Sequence, residues 1–219
     1  MPRALFKKTG NAVYISHLDL MRVFQRAFKR AGLHLTHTQG YNPRPSVSIA
    51  LPLSVGVESL CELLDFDLEG DSVSGEEIIA KLNEGLVEGV EVLSVYDSNC
   101  KIKEIALLDC SVCLEYDNGI PADAQQILVS LFSQPSIVVE KRGKNGVVQQ
   151  DIAPMIRNLH INAEDDNTLR IEARICCQNP ALNPMQITAA IEHYYPDLQP
   201  DFARYCRNEI YHLDETIFR

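Results

Sequence analysis

The sequence predicts an α+β fold in which two similar domains follow each other along the chain. Its 219 residues suffice for two domains of about 100 residues each, and 46% of them are hydrophobic, as expected for chains with real cores. Strand-like and helix-like patterns alternate as β-α-β-β-α-β over roughly the first 97 residues, and this order returns later with an extra hairpin. That order is the ferredoxin-like arrangement. We therefore predict two tandem ferredoxin-like domains, at residues 1–98 and 103–219.

In the first domain, the best-defined element is a helix over "ISHLDLMRVFQRAFKRAG". Ser16 is a favourable N-cap, and Asp19 follows three residues later, as in a capping box. Apolar residues then recur at helical spacing until Gly32, a suitable stop. The other segments are predicted in chain order as strand "RALFKK" before the helix, and after it strands "SVSIALPL" and "CELLDFDLEGD", helix "SGEEIIAKLNEGL" and strand "GVEVLSVYDS". The short segment "LHLTHT", between the first helix and "SVSIALPL", is a further strand candidate.

The second domain repeats this pattern with one addition. A strand, "IALLDCSVCLEYD", precedes a helix, "IPADAQQILVSLFSQ". The extra hairpin is "SIVVEKRGKNGVVQQDI", with its turn at Lys144-Asn145-Gly146. A second hairpin turns around Asp166-Asn167, and the helix "NPMQITAAIEHYY" and the strand "RYCRNEIYHL" complete the domain.

Charge is distributed unevenly along the chain. The net charge is −10, yet residues 1–50 hold eight of the 20 Lys and Arg residues and a single acid, Asp19, which makes this segment +7. The other 169 residues are therefore −17. Such asymmetry indicates an anionic partner for the basic segment, and the acidic remainder would repel phosphate elsewhere.

The basic segment contains two features suited to RNA. Arg22, Arg26 and Lys29 are spaced i, i+4, i+7 on the polar face of the predicted helix. The loop "HTQGYNPRPS" follows one short strand later, where Arg44 can clamp phosphate and Tyr41 can stack on a base. Basic residues interleaved with an aromatic residue favour single-stranded RNA. The predicted RNA-binding residues are His17, Arg22, Arg26, Lys29, Gln39, Gly40, Tyr41, Asn42 and Arg44.

Other patterns argue against common chemistries. Cys110 and Cys113 have metal-like spacing, but on a strand their side chains point to opposite faces. Alternating Asp65, Asp67 and Glu69 are either a divalent-cation site or the solvated face of a sheet. Phosphate-binding glycine motifs and the nucleophile elbow are absent from the sequence. We expect no metal and no cofactor.

The sequence has neither a signal-peptide stretch nor an apolar run of membrane-spanning length. Its seven cysteines are odd in number and irregularly spaced, which is typical of reduced thiols inside the cell. We therefore expect a cytoplasmic protein that makes no membrane contact.

Two stretches, "YISHLDLMRVFQRAFKRAGL" and "TQGYNPRPSVSIALPLSVGVES", resemble the bacterial radical-SAM-linked domain family, radical SAM-associated proteins of unknown function. The resemblance is strongest over residues 13–69. It implies a radical S-adenosylmethionine (SAM) enzyme as partner. The matching positions are Ser16, His17, Asp19, Arg22, Arg26, Gln39, Gly40, Asn42 and Pro43, with Tyr41 where an aromatic residue is usual and Arg44 at a polar or basic position.

Three functions are consistent with these observations. The first is an accessory RNA-binding module, without catalytic activity of its own, that presents tRNA or rRNA to a radical SAM partner. The second is a metal-independent endoribonuclease with His17 or His37 as general acid or base, a reading that a fold-level similarity to CRISPR repeat-RNA endonucleases also suggests. The third is a protein-interaction scaffold whose partner binds the predicted strand with Asp65, Asp67 and Glu69, or the second domain.

Overall fold

The computed structural model describes residues 2–70, 73–143 and 146–219, without the side chains of residues 142 and 143. It confirms the α+β class. The chain divides into two compact units, one of residues 1–102 together with Arg219 and one of residues 103–218. Among the described residues, the longest helix has 14 residues, and none has the length and apolar character needed to cross a membrane.

The first unit has the predicted β-α-β-β-α-β element order. Its elements are β1 (Pro2–Lys8), α1 (His17–Arg30), β2 (Val47–Ile49), β3 (Val57–Phe66), α2 (Gly75–Gly85) and β4 (Val90–Asp97), with a 3₁₀ turn at Gly10–Tyr14 between β1 and α1. The strands lie in the order β4-β1-β3-β2, and these pairings are antiparallel.

The core of the first unit forms where the apolar faces of α1 and α2 meet one face of this sheet. Phe6 of β1 packs against Phe24 of α1 with ring centroids 4.8 Å apart, and Phe28 packs against Phe66 of β3 at 5.1 Å. All four rings are fully buried, and each such burial is worth about 1.5–3 kcal/mol. The apolar residues that recur at helical spacing in the helices therefore pack against the apolar residues that alternate along the strands, and together they form one core.

The helix ends follow the sequence signals closely. The Oγ atom of Ser16 accepts a hydrogen bond from the Asp19 amide at 3.2 Å, and Ser74 caps α2 in the same way. Gly32 adopts a φ of +69° just after α1, a conformation that favours glycine. The Arg30 side chain donates to the carbonyl of Gly85, so a positively charged group binds a backbone carbonyl at the C-terminal end of α2.

The region before β3 differs from the prediction. "LHLTHT" forms isolated bridges, Leu35 with Leu68 and His37 with Pro45, rather than a strand. β2 contains three residues, although the sequence predicts a strand over "SVSIALPL". Proline at positions 43, 45 and 52 provides no amide donor, which limits the length of a hydrogen-bonded ladder here.

The second unit contains the predicted additional hairpin. Its elements are β5 (Leu107–Glu115), α3 (Ala124–Phe132), β6 (Val138–Gly143), β7 (Gly146–Asp151), β8 (Ile156–Ala163), β9 (Thr168–Cys176), α4 (Met185–Tyr194) and β10 (Phe202–Tyr211). The main sheet has the order β10-β5-β9-β8, and β6 pairs with β7 in a separate two-stranded sheet. The predicted turn residues Lys144 and Asn145 lie outside the described residues.

Candidate nucleic-acid interface

Helix α1 carries the predicted cationic face. Arg22, Arg26 and Lys29 are all exposed, whereas the opposite face of the helix is buried in the core. Lys29 lies seven positions after Arg22, which corresponds to about 10 Å along the helix axis. The three charges therefore form a stripe along the solvent side of α1.

The three cations differ in their partners. The Nη1 atom of Arg22 lies 2.7 Å from Oδ1 of Asp19. Hydrogen bonds from Ser16 and Arg22 hold the pKa of Asp19 below its usual value, so its carboxylate stays charged and neutralises Arg22. By contrast, the side chains of Arg26 and Lys29 form no hydrogen bond or ion pair with any residue in the described ranges. These two charges are available to a ligand.

The loop between α1 and β2 is braced by its own hydrogen bonds. The Thr38 amide donates to the Arg44 carbonyl at 2.8 Å, and the Arg44 amide donates to the Thr38 hydroxyl at 3.0 Å. Below them, the amide of Ser46 donates to the carbonyl of Thr36 at 2.7 Å. These contacts close residues 38–44 into a hairpin-like tip, and the hydrogen bonds across its base stabilise the conformation of the loop.

Every residue of this tip is exposed to solvent. Tyr41 is fully exposed, with a relative accessibility of 101%, and its ring has no packing partner among the described residues. Gly40 beside it has a φ of +140°, which other residues rarely adopt. The tip therefore presents an aromatic ring to solvent, where it can stack on a ligand. The side chain of Arg44 makes no hydrogen bond or ion pair in the described part of the chain.

Strand register places the predicted residues at two ends of the first unit. Arg3, near the start of β1, pairs with Asp65 near the end of β3, and β2 starts opposite Phe66. The loop that leads into β2 therefore lies at this end. α1 starts after β1 has crossed the sheet, so its first residue, His17, lies at the opposite end, about 20 Å away along a 14-residue helix. Lys29 lies toward the loop.

The two histidines considered as catalytic groups are therefore far apart. His17 begins α1, whereas His37 lies beside the loop, with its Nδ1 atom 4.0 Å from Oε1 of Glu69. A pair of groups that act on one phosphodiester must both be within hydrogen-bond reach of it. His17 and His37 cannot form such a pair within this unit.

Of the three acids predicted to alternate on one strand, Asp65 lies on β3, whereas Asp67 and Glu69 follow its end at Phe66. Both carboxylate oxygens of Asp65 accept hydrogen bonds from Arg3, at 2.6 and 3.1 Å, and Asp67 accepts one from the Thr36 hydroxyl at 3.1 Å. Arg3 is buried, so this ion pair is part of the fold. Within the described residues, no group of three or more His, Cys, Asp or Glu side chains could hold a metal ion.

Several basic residues that look available in the sequence are occupied. Arg3 pairs with Asp65, Lys7 lies 2.6 Å from Glu91, and Arg30 caps α2. Lys8 is buried and donates to the Val13 and Ile15 carbonyls; burial lowers its pKa, and Glu62 opposes this shift. Among the eight basic residues of the segment, the cations without a described partner are Arg26, Lys29 and Arg44.

The second unit contains a polar network that sequence patterns did not indicate. Arg174 donates two hydrogen bonds to Asp109, at 2.8 and 3.0 Å, and lies 2.6 Å from Glu215. The Tyr211 hydroxyl also donates to Asp109. Burial opposes ionisation of Asp109, but the hydrogen bonds from Arg174 and Tyr211 outweigh it and lower the pKa. Arg174 is thus neutralised within the unit and is unsuited to anchor a phosphate.

Comparison with known proteins assigns the family. A family model described as "Uncharacterized protein conserved in bacteria (DUF2344)" matches residues 2–184. The chain belongs to the DUF2344 family. This confirms a conserved bacterial family of unknown function, and the DUF2344 description mentions neither radical SAM enzymes nor RNA.

Other comparisons add little to the DUF2344 assignment. No curated protein matches the chain. A chain of a Cbf5-Nop10-Gar1 complex has 7% identity and a TM-score of 0.49 over 95% of this chain, which spans 48% of the length of that one. An unknown protein from Galdieria sulphuraria has 10% identity and a TM-score of 0.27, with coverage of 94% of this chain and 96% of that chain. Likenesses this weak carry no functional argument.

Proposed function

We propose that this DUF2344 protein is an accessory RNA-binding module that binds single-stranded tRNA or rRNA segments through its first unit and performs no chemistry itself. The observation that carries this proposal is the fully exposed Tyr41 ring on a braced loop that also bears the available cation Arg44. Aromatic rings beside cations bind unpaired nucleotides, because every base offers a face for stacking and every linkage offers a phosphate.

Each predicted residue has a place in this binding surface. Arg26, Lys29 and Arg44 hold phosphates, since their side chains have no partner among the residues that the structure describes. The amides of Gln39 and Asn42 are exposed beside Tyr41 and can pair with base edges, while Gly40 keeps the backbone accessible. His17 and Arg22 contact only an RNA long enough to follow α1 to its other end, about 20 Å away.

The proposed partner is a radical SAM enzyme, to which the module presents its RNA. The support is the resemblance of residues 13–69 to radical-SAM-linked domains, and the family match covers this segment. We also assign both units to the ferredoxin-like arrangement. Their sheet orders, β4-β1-β3-β2 and β10-β5-β9-β8, correspond strand by strand once the β6–β7 hairpin is set aside.

Fluorescence anisotropy with labelled single-stranded RNA, tRNA and rRNA fragments, at two salt concentrations, tests the proposal. Tyr41→Ala should weaken binding about 5- to 150-fold, which corresponds to 1–3 kcal/mol for one stacked base. The matched control is Phe202→Ala, which removes an exposed aromatic ring of the second unit and should leave binding unchanged. Absence of binding at low salt, or equal binding by Tyr41→Ala and wild type, contradicts the proposal. So does binding that Arg22→Ala combined with Arg26→Ala leaves unaffected.

One observation favours a second candidate function, an endoribonuclease. His37 lies at the loop end of the unit, where its imidazole is exposed and 4.0 Å from Glu69. A single histidine there can act as general base on an RNA bound by the loop. Cleavage of labelled RNA in EDTA that is lost in His37→Ala would establish this activity and replace the non-catalytic proposal. Cleavage that survives both His37→Ala and His17→Ala would exclude these two histidines as the catalytic groups.

A further inference from the structure

Tyr14 is a second exposed aromatic residue of the first unit. It ends the 3₁₀ turn that precedes α1, and its side chain is 70% exposed. Within the described residues, its hydroxyl makes no hydrogen bond and its ring packs against no other aromatic ring and no cation. The ring is therefore available to a ligand, as that of Tyr41 is at the other end of α1.

A buried lysine holds the backbone on both sides of Tyr14. The Nζ atom of Lys8 donates to the carbonyls of Val13 and Ile15, at 3.1 and 2.9 Å. The Val13 carbonyl also accepts a hydrogen bond from the amide of Gly56 at 3.0 Å. Hydrogen bonds from a charged donor are stronger than those between neutral groups. Tyr14 therefore projects from a fixed turn, which lowers the entropy cost of stacking a ligand on its ring.

The solvent face of α1 connects Tyr14 with the loop. Leu18, Arg22 and Lys29 lie within about 40° of one another around the helix axis, because each residue turns the helix by about 100°. All three are exposed, and Leu18 is 68% exposed although it is apolar. Helical side chains lean toward the N-terminus, so Leu18 leans toward the end that carries Tyr14. One continuous face thus leads from two apolar side chains at the start of α1 to the cation Lys29 near the loop.

The charges around Tyr14 favour a nucleobase over a phosphate. Asp19 neutralises Arg22 at 2.7 Å, and the carboxylate of Glu58 accepts a hydrogen bond from the amide of Gly10 at 3.0 Å. These carboxylates repel a phosphate but not the face of an uncharged ring. The ligand group that fits at Tyr14 is therefore a neutral aromatic ring, which a nucleobase provides.

We infer, on the basis of the RNA-binding function proposed above, that one RNA strand held at the loop continues along α1 and stacks a second, distant base on Tyr14. Leu18 makes apolar contact with the strand beside this base. The loop and the Tyr14 turn are about 20 Å apart, the length of a 14-residue helix. A nucleotide has six backbone bonds, twice as many as an amino acid, and therefore extends a strand by about 7 Å at most. The ligand is therefore an unpaired segment of at least about four nucleotides.

Fluorescence anisotropy on the full-length protein tests the second stacking site with a labelled trinucleotide and a labelled single-stranded RNA of about 12 nucleotides. Tyr14→Ala should weaken binding of the longer RNA about 5- to 150-fold, the range for one stacked base, and leave trinucleotide affinity within about twofold. The slope of log K against log salt should not change, because no phosphate contact is lost. Tyr14→Phe keeps the ring and should bind as wild type does, whereas Tyr41→Ala should weaken binding of both RNAs.

Leu18→Ala should also weaken binding of the longer RNA, by less than Tyr14→Ala does. The matched control is Leu93→Ala, which removes an exposed leucine on the face of β4 that points away from α1 and should leave affinity unchanged. Circular dichroism of each variant should match that of wild type.

The outcomes separate the second stacking site from the proposed function. If Tyr41→Ala weakens binding of the longer RNA and Tyr14→Ala does not, the second site is overturned and the RNA-binding function stands. Equal losses for both RNAs in Tyr14→Ala also overturn it, because a trinucleotide at the loop cannot reach Tyr14. If wild type binds neither RNA, the proposed function itself is refuted. A co-purifying protein that Tyr14→Ala loses at unchanged RNA affinity would overturn the second site and identify the ring as a protein contact.

Discussion

Replacing Arg26 and Lys29 together with alanine should remove about two-thirds of the salt dependence of RNA binding. Arg26, Lys29 and Arg44 are the cations of the basic segment without a described partner, whereas Asp19 already neutralises Arg22 at 2.7 Å. Each phosphate contact to single-stranded nucleic acid contributes about −0.7 to the slope of log K against log salt, so three contacts give about −2.1 and one gives about −0.7.

The assay is fluorescence anisotropy with a labelled single-stranded RNA between 50 and 200 mM salt. Over this fourfold range, wild type should lose affinity about 18-fold and the double variant about threefold. The matched control is Lys81→Ala with Lys103→Ala, which changes the net charge by the same amount at two lysines that are not among the proposed RNA-binding residues. Lys81 already pairs with Glu77 at 2.7 Å. The control should therefore retain the wild-type slope.

Equal slopes for wild type and the Arg26, Lys29 double variant would show that these side chains make no phosphate contact, which contradicts the proposed binding surface. An equal reduction of the slope by the Lys81, Lys103 control would refute it in another way. In that case the net charge of the whole protein, and not a specific surface at α1 and the loop, would determine RNA binding.

Three other variants test the fold. Arg30→Gln should cost roughly 0.5–1 kcal/mol in urea unfolding, since it removes the cation at the end of α2, and should leave RNA affinity within about twofold. Arg3→Met should lower the free energy of unfolding by about 3–5 kcal/mol, because it leaves the half-buried carboxylate of Asp65 without its charge partner. Adding Asp65→Leu should recover most of this loss of stability. Burial raises the pKa of Cys110 from 9.0 to about 12, because the folded protein favours the neutral thiol. The stability that the neutral thiol contributes is therefore present below pH 9 and is lost as the pH rises toward 12. Cys110→Ala should therefore flatten the decline in unfolding free energy between pH 8 and 10.5, and an unchanged decline would contradict this assignment.

Sequence reasoning succeeds here where the signal is local. Ser16 and Asp19 form the predicted cap, and the apolar repeat of α1 lies in the core, because helix period and capping depend on residues three or four positions apart. The element order of both units follows from the same kind of pattern. The strand predicted over "LHLTHT" is wrong, because strand formation requires a partner that short-range patterns do not specify.

The candidate site shows the same division between local and non-local information. The amino-acid sequence alone establishes that the segment is basic, that one face of the predicted helix is cationic and that the loop carries Tyr41 and Arg44. Which of these charges are available to a ligand depends on the packing of the folded chain. Arg3 and Arg30 bind Asp65 and Gly85, 62 and 55 positions away in the chain. Packing also places His17 and His37 at opposite ends of α1. Ion pairs and caps between distant residues form only when the strands and helices pack, so counting charges along the chain cannot distinguish an occupied cation from a free one.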